Sequence, residues 1–337
     1  MTKIAILGGG SWGTALAIVL SRSHQPHDIS LWMRDPLLAA ATNKSRENNL
    51  YLSGCRVPAA VEITADLATA LRQAHLVVGA MPAAHAREIY SRVLSFNPAS
   101  SFTFVSATKG LEPSTHLRMS EVLAQLFAGK SLLPRPIAVL SGPSFALEAA
   151  RGDPTAVVIA SLQETCATAI QQEFAGPSFR IYTNDDVDGV ELAGAMKNVI
   201  AIAAGTCQGL GLGTNAIAAL ITRGLAEMSR LAFALGARPE TLSGLAGLGD
   251  LVLTCTGALS RNRQLGIELG KGRALPEILA ATRTVAEGVG TAAALLALAA
   301  ERQIELPIIA QVDAILHHGK SPREAISEIM ERPQKRE

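Results

Sequence analysis

The sequence predicts two domains of different class: an α/β half with a mostly parallel sheet over residues 1–185, and an all-helical half over residues 186–337. Three observations carry this. Up to FRIYTNDD, short apolar runs rich in β-branched residues alternate with amphipathic stretches, which is the pattern of strands and crossover helices. Beyond that point strand signals stop, and each apolar segment has helical period and ends at Gly or Pro. The chain also opens with strand, glycine turn and helix, KIAILGGGSWGTALAIVLSRS, the start of a βαβ unit.

KIAILGGG is a buried strand ending in glycines, and an apolar stripe from Ser11 onward marks the helix. In that setting Gly8, Gly10 and Gly13 form GxGxxG. The first glycine permits a tight turn, the second admits a pyrophosphate to the backbone, and the third allows close helix packing. The helix start adds free N–H groups and the positive end of its dipole. The first half is therefore read as a Rossmann-type dinucleotide-binding domain. DISLWMRD is the second strand, at whose end an acidic side chain ordinarily binds the adenosine ribose. Arg34 precedes Asp35 there: the arginine suits the 2′-phosphate of NADP, the aspartate keeps NAD open, and a solvated turn is the plainer alternative.

HLVVGAMP, FTFVSATKG, RPIAVLSGP and TAVVIAS read as further buried strands. Ligands of such sheets lie beyond the carboxyl ends of strands, so Met81-Pro82, Lys109-Gly110 and Ser141-Gly142-Pro143 fall on the ligand side. Two readings are open for Lys109, a solvated loop lysine or a group facing cofactor or substrate. Ser144 is open to a reading as the cap of the next helix.

Asp186 is placed to cap the long helix VDGVELAGAMKNVIAIAAG, in which Lys197 and Asn198 stand among small and apolar residues. Ala193, Gly194 and Ala201 lie one turn from Lys197, so the spacing predicts room for a small molecule beside the ammonium. Partial desolvation would lower the pKa of such a lysine and suit it to passing a proton near neutral pH. The alternative is a lysine that snorkels to the surface. NAIAALITRGLAEMSRLAFALG, LGDLVLTCT, SRNRQLGIELGKG, GTAAALLALAAERQ, PIIAQVDAILHHG and SPREAISEIMER follow as helices. In GLAGLGDLVLTCT the glycines bring Asp250 to a helix start, either as N-cap or as the partner of a lysine. In SRNR, Ser260, Arg261 and Asn262 open a helix with a dipole end, a guanidinium fork and an amide, a set that suits a phosphate; capping alone would explain only Ser260.

Composition narrows the classes. At 337 residues and 48% apolar, the chain can bury two cores. Lys plus Arg (30) nearly balance Asp plus Glu (29), which leaves no electrostatic footprint for nucleic acid. Cys55, Cys166, Cys207 and Cys255 lack CxxC spacing, as free thiols of a reducing compartment do, and His317-His318 reads as a helix end; no metal is expected. Those thiols make the cytoplasm the default, and MTKIAILGGG offers neither a signal-peptide h-region nor a cleavage site. The uncharged run from Val199 to Thr222 is long enough to span a bilayer. It is broken by Gly205, Gly209, Gly211 and Gly213, so two buried helices joined by a glycine turn are expected and no membrane span. The Ala- and Gly-rich helices would suit a homodimer.

GGGSWGTALA, ATKGLE, SGPSFA, GAMKNVIAIAAG, LITRGLAEMSRL, GLAGLGDLVLTCT, SRNR and VAEG, in this order, resemble the bacterial NAD(P)-dependent glycerol-3-phosphate dehydrogenases along nearly the whole chain. The resemblance implies reversible NAD(P)H-dependent reduction of dihydroxyacetone phosphate to sn-glycerol 3-phosphate, the backbone of phospholipids, with NADPH slightly favoured. It implies that Ser11, Trp12, Arg34, Lys109, Ala146, Arg261, Val285 and Glu287 face the cofactor beside the glycine turn. Lys109, Gly142, Ser144, Lys197, Asp250, Ser260, Arg261 and Asn262 would contact the substrate. Lys197 would be the proton acceptor in oxidation, with Asp250 and Lys109 completing the catalytic set. Arg34 stands where His is also found, Trp12 where other members have Tyr or Phe, and Ser144 where Thr is common. The residues alone leave open another two-domain dehydrogenase of hydroxy acids or sugar phosphates, and a non-catalytic NAD(P)H sensor.

Overall fold

The computed structural model describes residues 1–96, 102–129, 135–282 and 286–334. The chain divides into two compact units, Met1–Glu112 with Leu117–Glu191, and Pro113–His116 with Leu192–Glu337. The division falls inside the helix that carries Lys197, whereas the strand signals stop ahead of it. The first turns of that helix are held within the first unit, where Arg118 pairs with Asp188 and the Ser120 N–H donates to Glu191 Oε1 at 2.9 Å.

The first unit comprises β1 (Thr2–Leu7), α1 (Ser11–Leu20), β2 (His27–Trp32), α2 (Pro36–Ser45), β3 (Glu62–Thr64), α3 (Leu67–Leu71), β4 (Leu76–Gly79), α4 (Ala83–Phe96) and β5 (Thr103–Ser106). It continues with α5 (Met119–Gly129), β6 (Ile137–Ser141), α6 (Ala146–Arg151), β7 (Thr155–Ala160), α7 (Glu164–Phe174) and β8 (Phe179–Asn184). The eight strands form one sheet in the order β3-β2-β1-β4-β5-β6-β7-β8. Neighbours are parallel except β6 and β7, which are antiparallel. Gly152, with φ 95°, ends the six-residue α6 and turns the chain back into β7.

Both faces of the sheet are covered, which is why its strands read as unbroken apolar runs. Ile4 and Ile6 point to one layer with Leu16, Leu20 and Phe174; Ala5 and Leu7 point to the other with Tyr90, Phe104 and Phe127. Tyr90 meets Phe104 edge-on at 5.6 Å between ring centroids.

The second unit takes up α8 (Val187–Gly209) and then holds α9 (Thr214–Ala234), α10 (Pro239–Ser243), α11 (Asp250–Thr256), α12 (Arg261–Gly270), α13 (Leu275–Ala281), α14 (Gly288–Glu301), α15 (Pro307–His317) and α16 (Pro322–Met330). A π turn, Leu245–Gly249, precedes α11. The Val199–Thr222 run is split between α8 and α9. Of the described helices α8 is long and apolar enough to cross a membrane, and 94% of its apolar window is buried inside the protein, as in a core helix. The expectation of two buried helices needs correction for α9: residues 214–223 are partly or fully exposed, and burial begins at Gly224.

Where α8 crosses α12 the backbones touch. A Cβ at Gly205 would lie 2.0 Å from Arg263 O, and one at Gly266 would lie 2.1 Å from Ile202 O. Gly209 and Gly270 meet in the same way one turn on. This close crossing fixes α12, and so Ser260 and Arg261 at its start, against the helix bearing Lys197.

Candidate functional site

The glycine turn after β1 has the shape a pyrophosphate needs. Gly8 adopts φ 130°, and a Cβ there would come 2.6 Å from Ala80 O. A Cβ at Gly13 would lie 1.9 Å from Gly8 O, so α1 packs directly on the turn, while around Gly10 there is nothing within 4 Å. The ladder of α1 begins with Thr14 N–H to Gly10 O, so the amides of Ser11, Trp12 and Gly13 precede it. Asn48, fully buried, braces the turn by donating to Gly9 O and Thr14 Oγ1, both at 2.9 Å. Ser11 Oγ donates to Tyr51 O at 2.7 Å. Trp12 packs on the sheet core, and its buried indole N–H has no hydrogen-bond partner. The open glycine, the amides and this unmatched donor fit a dinucleotide.

At the end of β2 the side chains of Arg34 and Asp35 divide their tasks. Asp35 Oδ1 accepts the Leu37 N–H at 2.9 Å and caps α2, whereas Arg34 is exposed. Ala146 is the first residue of α6 and Glu287 directly precedes α14. Val285 lies outside the described residues.

Beyond β5 and β6, three residues named from the sequence converge. Lys109 Nζ donates to Gly142 O at 2.8 Å and to Ser144 Oγ at 3.3 Å, and Ser144 Oγ donates to Gly142 O at 2.8 Å. Gly142 permits this with φ 122° and a Cβ position 3.1 Å from Val157 Cα. Lys109 is thus a half-buried, bonded lysine, not a solvated one. Ser144 does not cap α6; its N-cap is Phe145, with no side-chain cap bond.

Lys197 is 6% exposed, which rules out the snorkelling alternative. Its ammonium donates to Asp250 Oδ1 at 2.5 Å and to Thr254 Oγ1 at 2.9 Å. Thr254 Oγ1 in turn donates to Asp250 O at 2.6 Å. Asp250 is not a side-chain cap, since no cap bond is made at the start of α11. Burial alone would favour the neutral amine, and the adjoining carboxylate favours the ammonium. Ala193, Gly194 and Ala201, one turn from Lys197, are all buried. Behind the pair, burial pushes the Cys255 thiol up to about 12, with the Lys197 ammonium opposing, so it stays neutral.

In SRNR, Ser260 Oγ accepts the Arg263 N–H at 3.2 Å and caps α12. Asn262 turns inward: its amide donates to Asn198 Oδ1 at 2.9 Å, and its oxygen accepts the Gly288 N–H at 3.0 Å. It ties α8, α12 and α14 together. Arg261 remains reachable by solvent although protein surrounds much of it; desolvation pulls its pKa down and the Glu287 carboxylate pulls the other way.

Two family models cover these two sets of residues. Residues 3–167 match the N-terminus, and residues 186–327 the C-terminus, of NAD-dependent glycerol-3-phosphate dehydrogenase. The chain belongs to this family. It is 52% identical over 334 residues to glycerol-3-phosphate dehydrogenase [NAD(P)+] of Koribacter versatilis, covering 99% of this chain and 98% of the relative. The enzyme of that name from Acidobacterium capsulatum is 50% identical, covering 99% of each. The crystal structure of glycerol-3-phosphate dehydrogenase from Coxiella burnetii superposes with a TM-score of 0.92 at 40% identity, over 98% of this chain and 99% of that one.

Within this member of the glycerol-3-phosphate dehydrogenase family, sequence reasoning passed over three residues. Thr254 shares the lysine with Asp250, and its position four residues on, on the same helix face, was the available signal. Asn198 stands out beside Lys197, but its partner Asn262 lies 64 residues away. Asn48 accepts the nearby Tyr51 N–H at 3.2 Å as an ordinary turn residue does, and its amide partners, Gly9 and Thr14, are far away in the chain.

Proposed function

We propose that the chain catalyses the NAD(P)H-dependent reduction of dihydroxyacetone phosphate to sn-glycerol 3-phosphate, reversibly, with Lys197 as the group that moves the proton. One observation carries the mechanistic part of this reading: a buried ammonium held by a carboxylate and a hydroxyl, on a helix with few other polar groups. The names borne by the full-length relatives support the substrate.

A nicotinamide cofactor, when bound, would supply the hydride. In reduction the Lys197 ammonium hydrogen-bonds the carbonyl oxygen, stabilises the developing alkoxide and donates its proton; in oxidation the amine takes it back. Asp250 and Thr254 hold the nitrogen on its line of approach. Arg261 provides a charged fork for the substrate phosphate, so that binding energy remote from the reacting carbon orients it. The inward turn of Asn262 gives it a positioning task in addition to any N–H it offers the phosphate. For Lys109, Gly142 and Ser144 the reading rests on the resemblance and on their convergence with one another. Arg34 favours NADPH, since Asp35 is engaged as a cap. Four free cysteines and a nicotinamide-linked reaction fit the cytoplasm.

The test is NADPH and NADH oxidation followed optically with dihydroxyacetone phosphate, glyceraldehyde 3-phosphate and a set of keto acids. Turnover confined to dihydroxyacetone phosphate is expected. Preference for a keto acid would favour a different two-domain dehydrogenase, and nucleotide binding without turnover would favour a sensor.

A further inference from the structure

Asp250 reaches Lys197 by way of an irregular turn. Between α10 and α11 the Gly249 N–H bonds Gly244 O at 3.1 Å, spanning five residues instead of four, and the Asp250 N–H is shared between Gly247 O and Leu245 O, the second of these again five residues back. A π turn holds one residue more than an α turn, and one added residue rotates everything after it by about 100°. Here the turn runs without a break into α11, whose first residue is Asp250 and whose inward face continues with Leu251, Thr254 and Cys255. Asp250 and Thr254, to which the Lys197 ammonium donates, therefore both lie downstream of the extra residue.

Gly247 is where this turn rests on its neighbour. A Cβ there would lie 2.1 Å from Leu242 O, 2.5 Å from Leu242 C and 2.6 Å from Leu242 Cα. These are backbone atoms of α10 and cannot swing aside as a side-chain tip would, and Leu242 is itself 1% exposed. Any side chain at 247 must lift the turn off α10 or push α10 away. Leu248, the next residue, is exposed and meets no such limit.

We infer that Gly247 is a positioning residue for the reaction: its bare contact with Leu242 seats the π turn, and the extra residue of that turn brings Asp250 and Thr254 onto Lys197. The inference rests on the reading of Lys197 as the proton-moving group. Its effect is on chemistry more than on ligand binding, because a small misplacement of a reacting group lowers the rate while the remote anchors of substrate and cofactor persist.

The experiment compares the wild type with G247A, D250N and the double variant, all as full chains. It reads kcat and KM with dihydroxyacetone phosphate and NADPH, the pH profile of kcat, the NADPH dissociation constant and the melting temperature. G247A is expected to lower kcat by about tenfold or more, with KM and the NADPH dissociation constant within about threefold of the wild type. Its pH profile moves in the same direction as that of D250N, and the double variant is no slower than D250N alone, because both substitutions act on one contact. Deleting Leu248, which restores α spacing without adding an atom against Leu242, gives the same loss of kcat. The inference is overturned if G247A keeps wild-type kcat while D250N loses it, or if the two losses multiply. It is also overturned if G247A and the deletion both lose the folded state, since the turn would then be a support of the helical unit and nothing more. D250N with wild-type turnover would remove the Lys197 clamp from the proposed function, and this inference with it.

Discussion

Lys197 and Asp250, 53 residues apart, meet at 2.5 Å with side chains 8% and 1% exposed. Desolvating two such charges offsets much of their attraction, so the pair is poor value as a stabiliser and is better understood as charge kept for chemistry. Removing one member takes the opposite charge away from a buried ion. Lys197→Met should therefore destabilise the chain by roughly 3–5 kcal/mol, while Lys197→Met with Asp250→Leu should recover most of that loss and stay inactive. Urea unfolding of the two variants checks this; a double variant no more stable than the single one would mean that the pair does stabilise the fold.

The α8–α12 crossing sets where Arg261 stands relative to Lys197. Gly266→Ala puts a methyl group 2.1 Å from Ile202 O, a backbone atom. Overpacking of this kind costs about 1–3 kcal/mol or more, and it displaces the start of α12. A lower melting temperature is expected together with a raised KM for dihydroxyacetone phosphate. If KM is unchanged in a destabilised variant, the crossing serves stability alone.

Arg34 is exposed while Asp35 is committed to capping α2. Arg34→Ala should weaken NADPH by about tenfold or more and leave NADH nearly unchanged, because an arginine–phosphate bond is charge-assisted on both sides. Titration calorimetry with each nucleotide reads the difference, and equal losses would remove the 2′-phosphate from the account of Arg34.

Glu227 accepts the Ile308 N–H at 2.7 Å and the Ile309 N–H at 3.3 Å at the start of α15, and burial raises its pKa from 4.5 to about 7 against those bonds. The folded chain keeps this proton over a range in which the unfolded chain loses it. Its contribution to stability is therefore full below about pH 4.5, declines as the pH rises, and is lost beyond about pH 7. Glu191 in the first unit, also raised to about 7 by burial, adds to the same slope. Glu227→Gln should flatten that slope by an amount on the order of 2–3 kcal/mol between pH 5 and 8, as read from urea midpoints. An unchanged slope would show that Glu227 is ionised throughout.

The sheet was legible because strands buried on both faces leave continuous apolar runs, and β3, three residues long with Glu62 exposed, left none. The antiparallel β7 was not legible, since direction is set by the turn at Gly152 and not by the strand's own residues. Lys197 and Asp250 stood out as charges in apolar surroundings. From its place at a helix start Asn262 reads as a phosphate donor. Its inward turn follows from the α8–α12 crossing, and glycine spacing within a helix does not name the helix it will meet. The π turn was hidden for a similar reason: five residues rich in glycine read as loop until Leu242 is seen beneath Gly247.

Turnover and cofactor binding of Lys197→Met, measured on the same folded sample, test the central claim most directly. The account predicts that NADPH binds within about threefold of the wild type while reduction of dihydroxyacetone phosphate falls by about 10²–10⁴. A variant that binds NADPH and turns over within about tenfold of the wild type would show that the proton comes from another group.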